Sequence, residues 1–139
     1  MATKQAGIGA IALALVLGLG ATAALADVTS ALRAYQSATT RATQVMAGMT
    51  DATTAKAGAQ QLQGAMVQQR AAEQTLHAEL LKLNLNDKSN AALMESATAD
   101  MAKVNEKFTE QQVRVLSNPA IGGVVGNAFN QQAAPTKKR

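Results

Sequence analysis

The chain has 139 residues, enough for one domain, and a net charge of +4 from 13 Lys and Arg against 9 Asp and Glu. It contains no cysteine, which excludes disulfides, thiolate catalysis, iron–sulfur clusters and covalent haem attachment. The positive charge does not indicate a nucleic-acid-binding face, because Lys137, Lys138 and Arg139 at the end of the chain supply most of it.

Residues 1–26 have the pattern of a secretory signal peptide. Lys4 is a short positive region, residues 8–19 are almost wholly apolar, and Ala24-Leu25-Ala26 supplies the small residues that precede cleavage. We therefore predict cleavage after Ala26 and an exported protein, either periplasmic or secreted. The competing interpretation is an uncleaved membrane anchor over residues 6–26, which is just long enough to span a bilayer.

Removal of Lys4 with the leader leaves 12 basic and 9 acidic residues, a net charge of +3 that the last three residues account for. Residues 130–139 are predicted to be a disordered tail. Its basic end either solubilises the chain or gives weak attraction to an anionic membrane or cell-wall polymer.

The mature chain predicts three long helices, over about residues 28–47, 51–83 and 87–117. Thr50-Asp51 can cap the second helix, and Asn86, Asp87 or Ser89 the third. Because the turn at residues 84–87 is short, the second and third helices should be antiparallel neighbours. Glu110 and Arg114 are spaced for an ion pair on the outer face of the third helix.

Residues 118–129 predict a short fourth helix, capped by Asn118 and opened by Pro119. Its three glycines indicate that it is loose. No β pattern is present. The predicted fold is therefore all-α, an antiparallel helical hairpin or three-helix bundle with coiled-coil-like stripes. The residues of its core stripe are Tyr35, Leu62, Met66, Leu76, Leu80, Leu83, Met94, Ala97, Met101, Val104, Phe108 and Val115.

No residue combination predicts a catalytic, cofactor or metal site. His77 is the single histidine, and with Glu73 it offers two metal ligands where structural sites use four. A metal or haem carrier would have to combine His77 with one of the Met residues, whose helical spacing favours core packing instead. Without a nucleophile–base constellation or a phosphate loop, we predict a protein that is not an enzyme and needs no cofactor.

Two segments resemble small exported bacterial helical proteins of unknown function. The turn Asp51-Ala52-Thr53-Thr54-Ala55 is similar to their Asp-x-x-Ser/Thr-Ala motif before a long helix, and residues 113–119 are similar to the end of a later helix. The resemblance covers about residues 35–129 and implies the helical architecture without transferring a functional residue.

A weaker similarity joins the segment Phe108-Thr109-Glu110-Gln111-Gln112 to the Leu-Thr-x-x-Gln motif of periplasmic helical-hairpin stress chaperones. It departs at the first position and occurs once, where those proteins carry the motif twice. The sequence thus predicts a non-catalytic helical interaction or structural protein. Its partner would be an unknown envelope protein or a second copy, with no nucleic acid and with membrane contact only through an uncleaved signal segment. The alternatives are a holdase-type envelope stress chaperone and the metal or haem carrier.

Overall fold

Four helices account for almost all of residues 19–130, the part of the chain that the computed structural model describes. They are α1 (Leu19–Ala47), α2 (Ala52–Leu81), α3 (Lys88–Ser117) and α4 (Pro119–Asn130). The all-α prediction is confirmed, and there is no strand within residues 19–130. In the same residues, no helix is both long enough and apolar enough to cross a membrane.

Helix α1 begins at Leu19, upstream of the predicted start near residue 28, and runs without a break through Ala26 and Asp27. The predicted processing site therefore lies within a helix of the unprocessed chain. Ala24 already packs against the core there, and Val28 is buried. Residues 1–18 of the predicted leader lie outside the described residues, as does the predicted tail beyond Asn130, the last residue of α4.

Side-chain caps set the starts of the other three helices. Asp51 caps α2 in a reciprocal box, in which the Thr54 backbone N–H donates to Asp51 Oδ1 at 2.8 Å and the Asp51 backbone N–H donates to Thr54 Oγ1 at 3.0 Å. Asp87 accepts from the backbone N–H of Ser89 at the start of α3. Asn118 accepts from the backbone N–H of Ala120, which leaves Pro119 at the first helical position, as predicted.

The Asp51 cap predicts a specific acid sensitivity. The hydrogen bond from the Thr54 backbone lowers the pKa of Asp51 below its ordinary value of 3.8. The carboxylate therefore stabilises the fold above about pH 3.8, and this contribution is lost as the pH falls through the lower folded-state pKa. Asp51→Asn keeps a capping oxygen, so we expect thermal melts of this variant to depend less on pH in that acid range than melts of the parent. Equal acid dependence of the two proteins would contradict the assignment.

Helix α1 is the centre of the bundle. Close backbone approaches join α1 to both α2 and α3, and α4 to both α2 and α3. α1 and α3 run parallel, since Tyr35 reaches Asn105 and Met46 reaches Arg114. α2 and α3 are antiparallel across their short turn. Within residues 19–130, however, the backbones of these two helices do not approach each other as closely as the four pairs just named. Small buried residues such as Ala31 and Ala42 let α1 approach its neighbours closely.

The core consists of two clusters stacked along the bundle. The first surrounds the α1–α2 turn and α4, and it includes Met46, Leu62 and Val115. The second surrounds the α2–α3 turn and the start of α1, and it includes Val28, Tyr35 and Leu76. The predicted stripe residues Tyr35, Leu62, Met66, Leu76, Leu80, Leu83, Ala97 and Val115 are buried, whereas Met94, Met101, Val104 and Phe108 are partly buried.

A polar layer separates the two clusters. It consists of Thr39 on α1, Gln69 on α2 and Asn105 on α3, each lying along its helix between residues of the two clusters. The hydroxyl of Tyr35 donates to Oδ1 of Asn105 at 2.5 Å. Thr39 is fully buried, and no atom within residues 19–130 pairs with its Oγ1. A buried hydroxyl without a hydrogen-bond partner costs free energy, so the polar layer stabilises the fold less than the apolar clusters on either side.

Helix α4 packs on the core through its apolar residues, although its three glycines favoured a loose helix. Ile121 and Val125 are fully buried against the first cluster. Gly122 permits this packing, because a Cβ at this position would lie 2.6 Å from the carbonyl oxygen of Leu116. Gly123 and Gly126 face open space, so each costs about 1 kcal/mol of helix stability relative to Ala with no steric need. Packing, not intrinsic propensity, holds α4 in place.

Candidate interaction surface

The solvent-facing side of α2 is a continuous uncharged stripe. Its positions alternate in steps of four and three residues from residue 53 to residue 81, so they share one side of the helix, and every one of them is exposed. We call this the α2 outer face; its residues are Thr53, Ala57, Gln60, Gly64, Val67, Ala71, Gln74, Ala78 and Leu81. Val67 is 65% exposed and Leu81 is 72% exposed. The opposite side of α2 supplies the buried residues of the core, so this helix carries two stripes.

Basic residues border the α2 outer face. Lys56, Arg70 and Lys82 are exposed beside it, and helical geometry places Glu73 and Glu79 further round the helix. Lys82 Nζ donates to Oε1 of Glu79 at 2.7 Å, and this hydrogen bond raises the pKa of Lys82 above its ordinary value of 10.5. The α2 outer face is therefore uncharged along its centre and bordered by basic side chains, of which Lys82 is paired with Glu79.

Two shallow grooves lie on the surface of residues 19–130, and the lining of the first consists of polar side chains. One follows α1 past Arg33, Ser37 and Thr40, and the other lies between α1 and α2 beside Arg41, where Arg41 Nη1 approaches Gln68 Oε1 at 3.4 Å. The second groove ends on the small residues Gly48, Ala57 and Gly58. Neither groove brings a nucleophile together with a general base, so their lining offers hydrogen bonding and no acid–base chemistry.

The residues considered for a metal or haem do not converge. His77 and Glu73 are exposed on α2, whereas Met46, Met49 and Met66 are buried in the first cluster. Met94 and Met101 pack against the second cluster from α3. Among residues 19–130, no three His, Asp or Glu side chains are close enough to hold a metal ion.

The contact that sequence reasoning missed is made by Arg114. Its side chain reaches α1 instead of Glu110: Nη1 donates to the carbonyl of Met49 at 3.0 Å and Nη2 to the carbonyl of Met46 at 2.5 Å. Nε donates to Oε1 of Gln111 at 2.8 Å. Arg114 thus adds a charged donor to the Met46 carbonyl, which also accepts from the backbone N–H of Met49, and it pairs the Met49 carbonyl just beyond α1. Positive charge at this end of α1 is also favoured by the helix dipole. The predicted Glu110–Arg114 pair is wrong for this reason.

Similarity to other proteins assigns no role to these surfaces. No protein-family model, no curated protein and no solved structure matches the chain.

Proposed function

We propose that this protein is an exported, periplasmic, non-catalytic helical protein whose role is to bind another protein of the cell envelope. The observation that carries the proposal is the α2 outer face, nine exposed positions without a charge on a helix whose other side is fully used by the core. A solvated helix normally places charged residues on its exposed side, so a long uncharged stripe with Val67 and Leu81 at its surface is typical of a contact face.

The margins of the face indicate the chemistry of the partner. Lys56, Arg70 and Lys82 would lie at the flanking positions of a helix pair formed along the stripe, where charges set partner choice. The matching partner is a helix with small or apolar residues facing α2 and with Glu or Asp at its flanks. Ala57, Gly64, Ala71 and Ala78 recur every seven residues and would let the two backbones approach closely.

Site-specific cross-linking in cells tests this proposal. We would place a photo-cross-linking side chain at Ala71 on the α2 outer face and, as a matched control, at exposed Ala99 on α3. We expect one dominant envelope protein to be captured from position 71, through a segment that is acidic and helical, and capture to fall severalfold with Lys56→Glu. Position 99 should give no such adduct.

Three outcomes would overturn this interaction role. Equal capture from positions 71 and 99 would mean that the α2 outer face is not a contact face. A broad set of unrelated clients, with binding of a hydrophobic dye by the folded protein, would support the holdase-type chaperone. A coloured protein, or a melting temperature that responds to metal, would support the carrier that uses His77.

Export rests on the leader sequence and has its own test. Cell fractionation and intact-mass measurement should find the protein in the periplasmic fraction with Asp27 as its first residue. A membrane-bound chain that retains residues 1–26 would support the uncleaved anchor, and a cytosolic full-length chain would contradict export.

A further inference from the structure

Helix α4 fills a groove between α2 and α3 and is held there by apolar contacts. Ile121 and Val125 are its fully buried anchors, and Val124, Ala128 and Phe129 pack against the same cluster. Its twelve residues contain no charged side chain. A partner for this groove is therefore already known: a helix with the sequence of α4.

The connection that places α4 in its own groove is very short. Asn118 alone separates the last residue of α3 from the first residue of α4. The Asn118 carbonyl accepts from the backbone N–H groups of Ile121 at 3.1 Å and Gly122 at 2.7 Å. At this angle the backbone of residue 122 lies against the Leu116 carbonyl, with no room for a Cβ. The closed hinge thus depends on one glycine.

The rest of α4 has no comparable steric need for glycine. A Cβ on Gly123 or Gly126 would meet open space, so these glycines only weaken the isolated helix. A helix of about twelve residues is also marginal in water without a surface to pack on. Docking of α4 therefore requires the groove but not the closed hinge.

We propose that the groove of one molecule also accepts α4 of a second copy, giving a two-fold dimer by exchange of α4, and that Gly122 keeps the hinge closed in the monomer. Exchange rebuilds every α4 contact in trans and changes only the hinge, so it is a low-cost route to a dimer. A short hinge without slack favours exchange as soon as closure is obstructed. This inference rests on the proposed interaction role only in treating a second copy as a biological partner; the hinge itself is tested in purified protein.

Gly122→Ala is the direct test. The added Cβ obstructs closure against a backbone atom that cannot move cheaply, while the anchors and the groove stay intact. We expect light scattering to show a doubled mass, with helicity retained and a melting temperature that rises with protein concentration. Gly123→Ala and Gly126→Ala are the matched controls, because the same methyl group enters open space, and both should remain monomeric.

Addition of Ile121→Asp to Gly122→Ala identifies the surface used, since removal of this anchor should return the dimer to monomer. A dimer that survives the added charge would overturn the exchange model, because it would be formed through another surface. A Gly122→Ala monomer at every concentration, with bound hydrophobic dye, would overturn it as well.

Deletion of Asn118, the single connecting residue, is a second way to prevent closure of the hinge if Gly122→Ala does not fold. We expect this variant to dimerise as well. Failure of both variants to dimerise would end the proposal. Failure here leaves cross-linking from the α2 outer face unaffected, and failure of that cross-linking leaves the hinge result unaffected, so the two proposals can fail separately.

Discussion

Replacement of Leu62 or Leu76 by alanine should lower the free energy of unfolding by about 2–5 kcal/mol in each case. Both side chains are fully buried, Leu62 in the first core cluster and Leu76 in the second. Each truncation removes apolar contacts and leaves a cavity that the surrounding helices fill incompletely. Domains of this size are stable by about 5–15 kcal/mol, so either change removes a large share of the total. Urea unfolding followed by circular dichroism measures both values.

Leu81→Ala is the matched control for these two variants. The same chemical change is made on the same helix, but Leu81 is 72% exposed and lies on the α2 outer face. We expect unfolding to change by less than about 0.5 kcal/mol, as is usual for surface substitutions. A loss at Leu81 as large as that at Leu76 would contradict the orientation of α2 described above.

Arg114→Ala should be the most damaging change outside the apolar core, with an expected loss of about 1.5–3 kcal/mol in the free energy of unfolding. The guanidinium donates to the carbonyls of both Met46 and Met49 and so ties the C-terminal end of α1 to α3. Truncation leaves those carbonyls without a charged donor. Arg114→Lys should recover only part of the loss, because one ammonium does not reproduce the fork of two parallel donors.

Lys107→Ala is the control for Arg114, since Lys107 is an exposed base on the same helix. Thermal melts of the two alanine variants should differ by several degrees for a domain of this size. If Arg114→Ala has the same melting temperature as Lys107→Ala, the hydrogen bonds from Arg114 to α1 contribute nothing to stability. Both variants would then report only the loss of one positive charge from α3.

The helix ends were predictable because their causes are local. Asp51, Asp87 and Asn118 each use a side-chain oxygen to pair a backbone N–H within three residues, and such signals can be read directly from sequence. The start of α1 differs for an equally clear reason. Residues 19–26 belong to the predicted removable leader, and the unprocessed chain continues the helix through them.

The relative importance of the helices was harder to predict. The stripe of α3 has the most regular apolar spacing, yet within α3 only Ala97 and Val115 are fully covered. α1, whose threonines lower its helix propensity, lies between α2 and α3 because its alanines permit close approach. Spacing shows which side of a helix is apolar, but not how closely a neighbouring backbone can approach it.

Long-range contacts account for the remaining misses. Arg114 and Met49 are 65 positions apart in the chain, so an i,i+4 rule assigned Arg114 to Glu110 instead. Gly122 resembled a helix-weakening glycine because the Leu116 carbonyl that excludes its Cβ is placed only by the folded hinge. The α2 outer face can be read from the sequence as a second heptad stripe, less apolar than the core stripe on the same helix.

The polar layer at Thr39, Gln69 and Asn105 separates the two core clusters, and we expect the two halves of the bundle to open with different free energies. Apolar contacts link residues within each half, whereas coupling between the halves depends on continuous helices and the Tyr35–Asn105 hydrogen bond. Native-state hydrogen exchange should therefore resolve two groups of slowly exchanging amides, one around Leu62 and one around Leu76. Sub-global opening of the half that contains α4 would let that helix exchange between molecules without passage through the unfolded state.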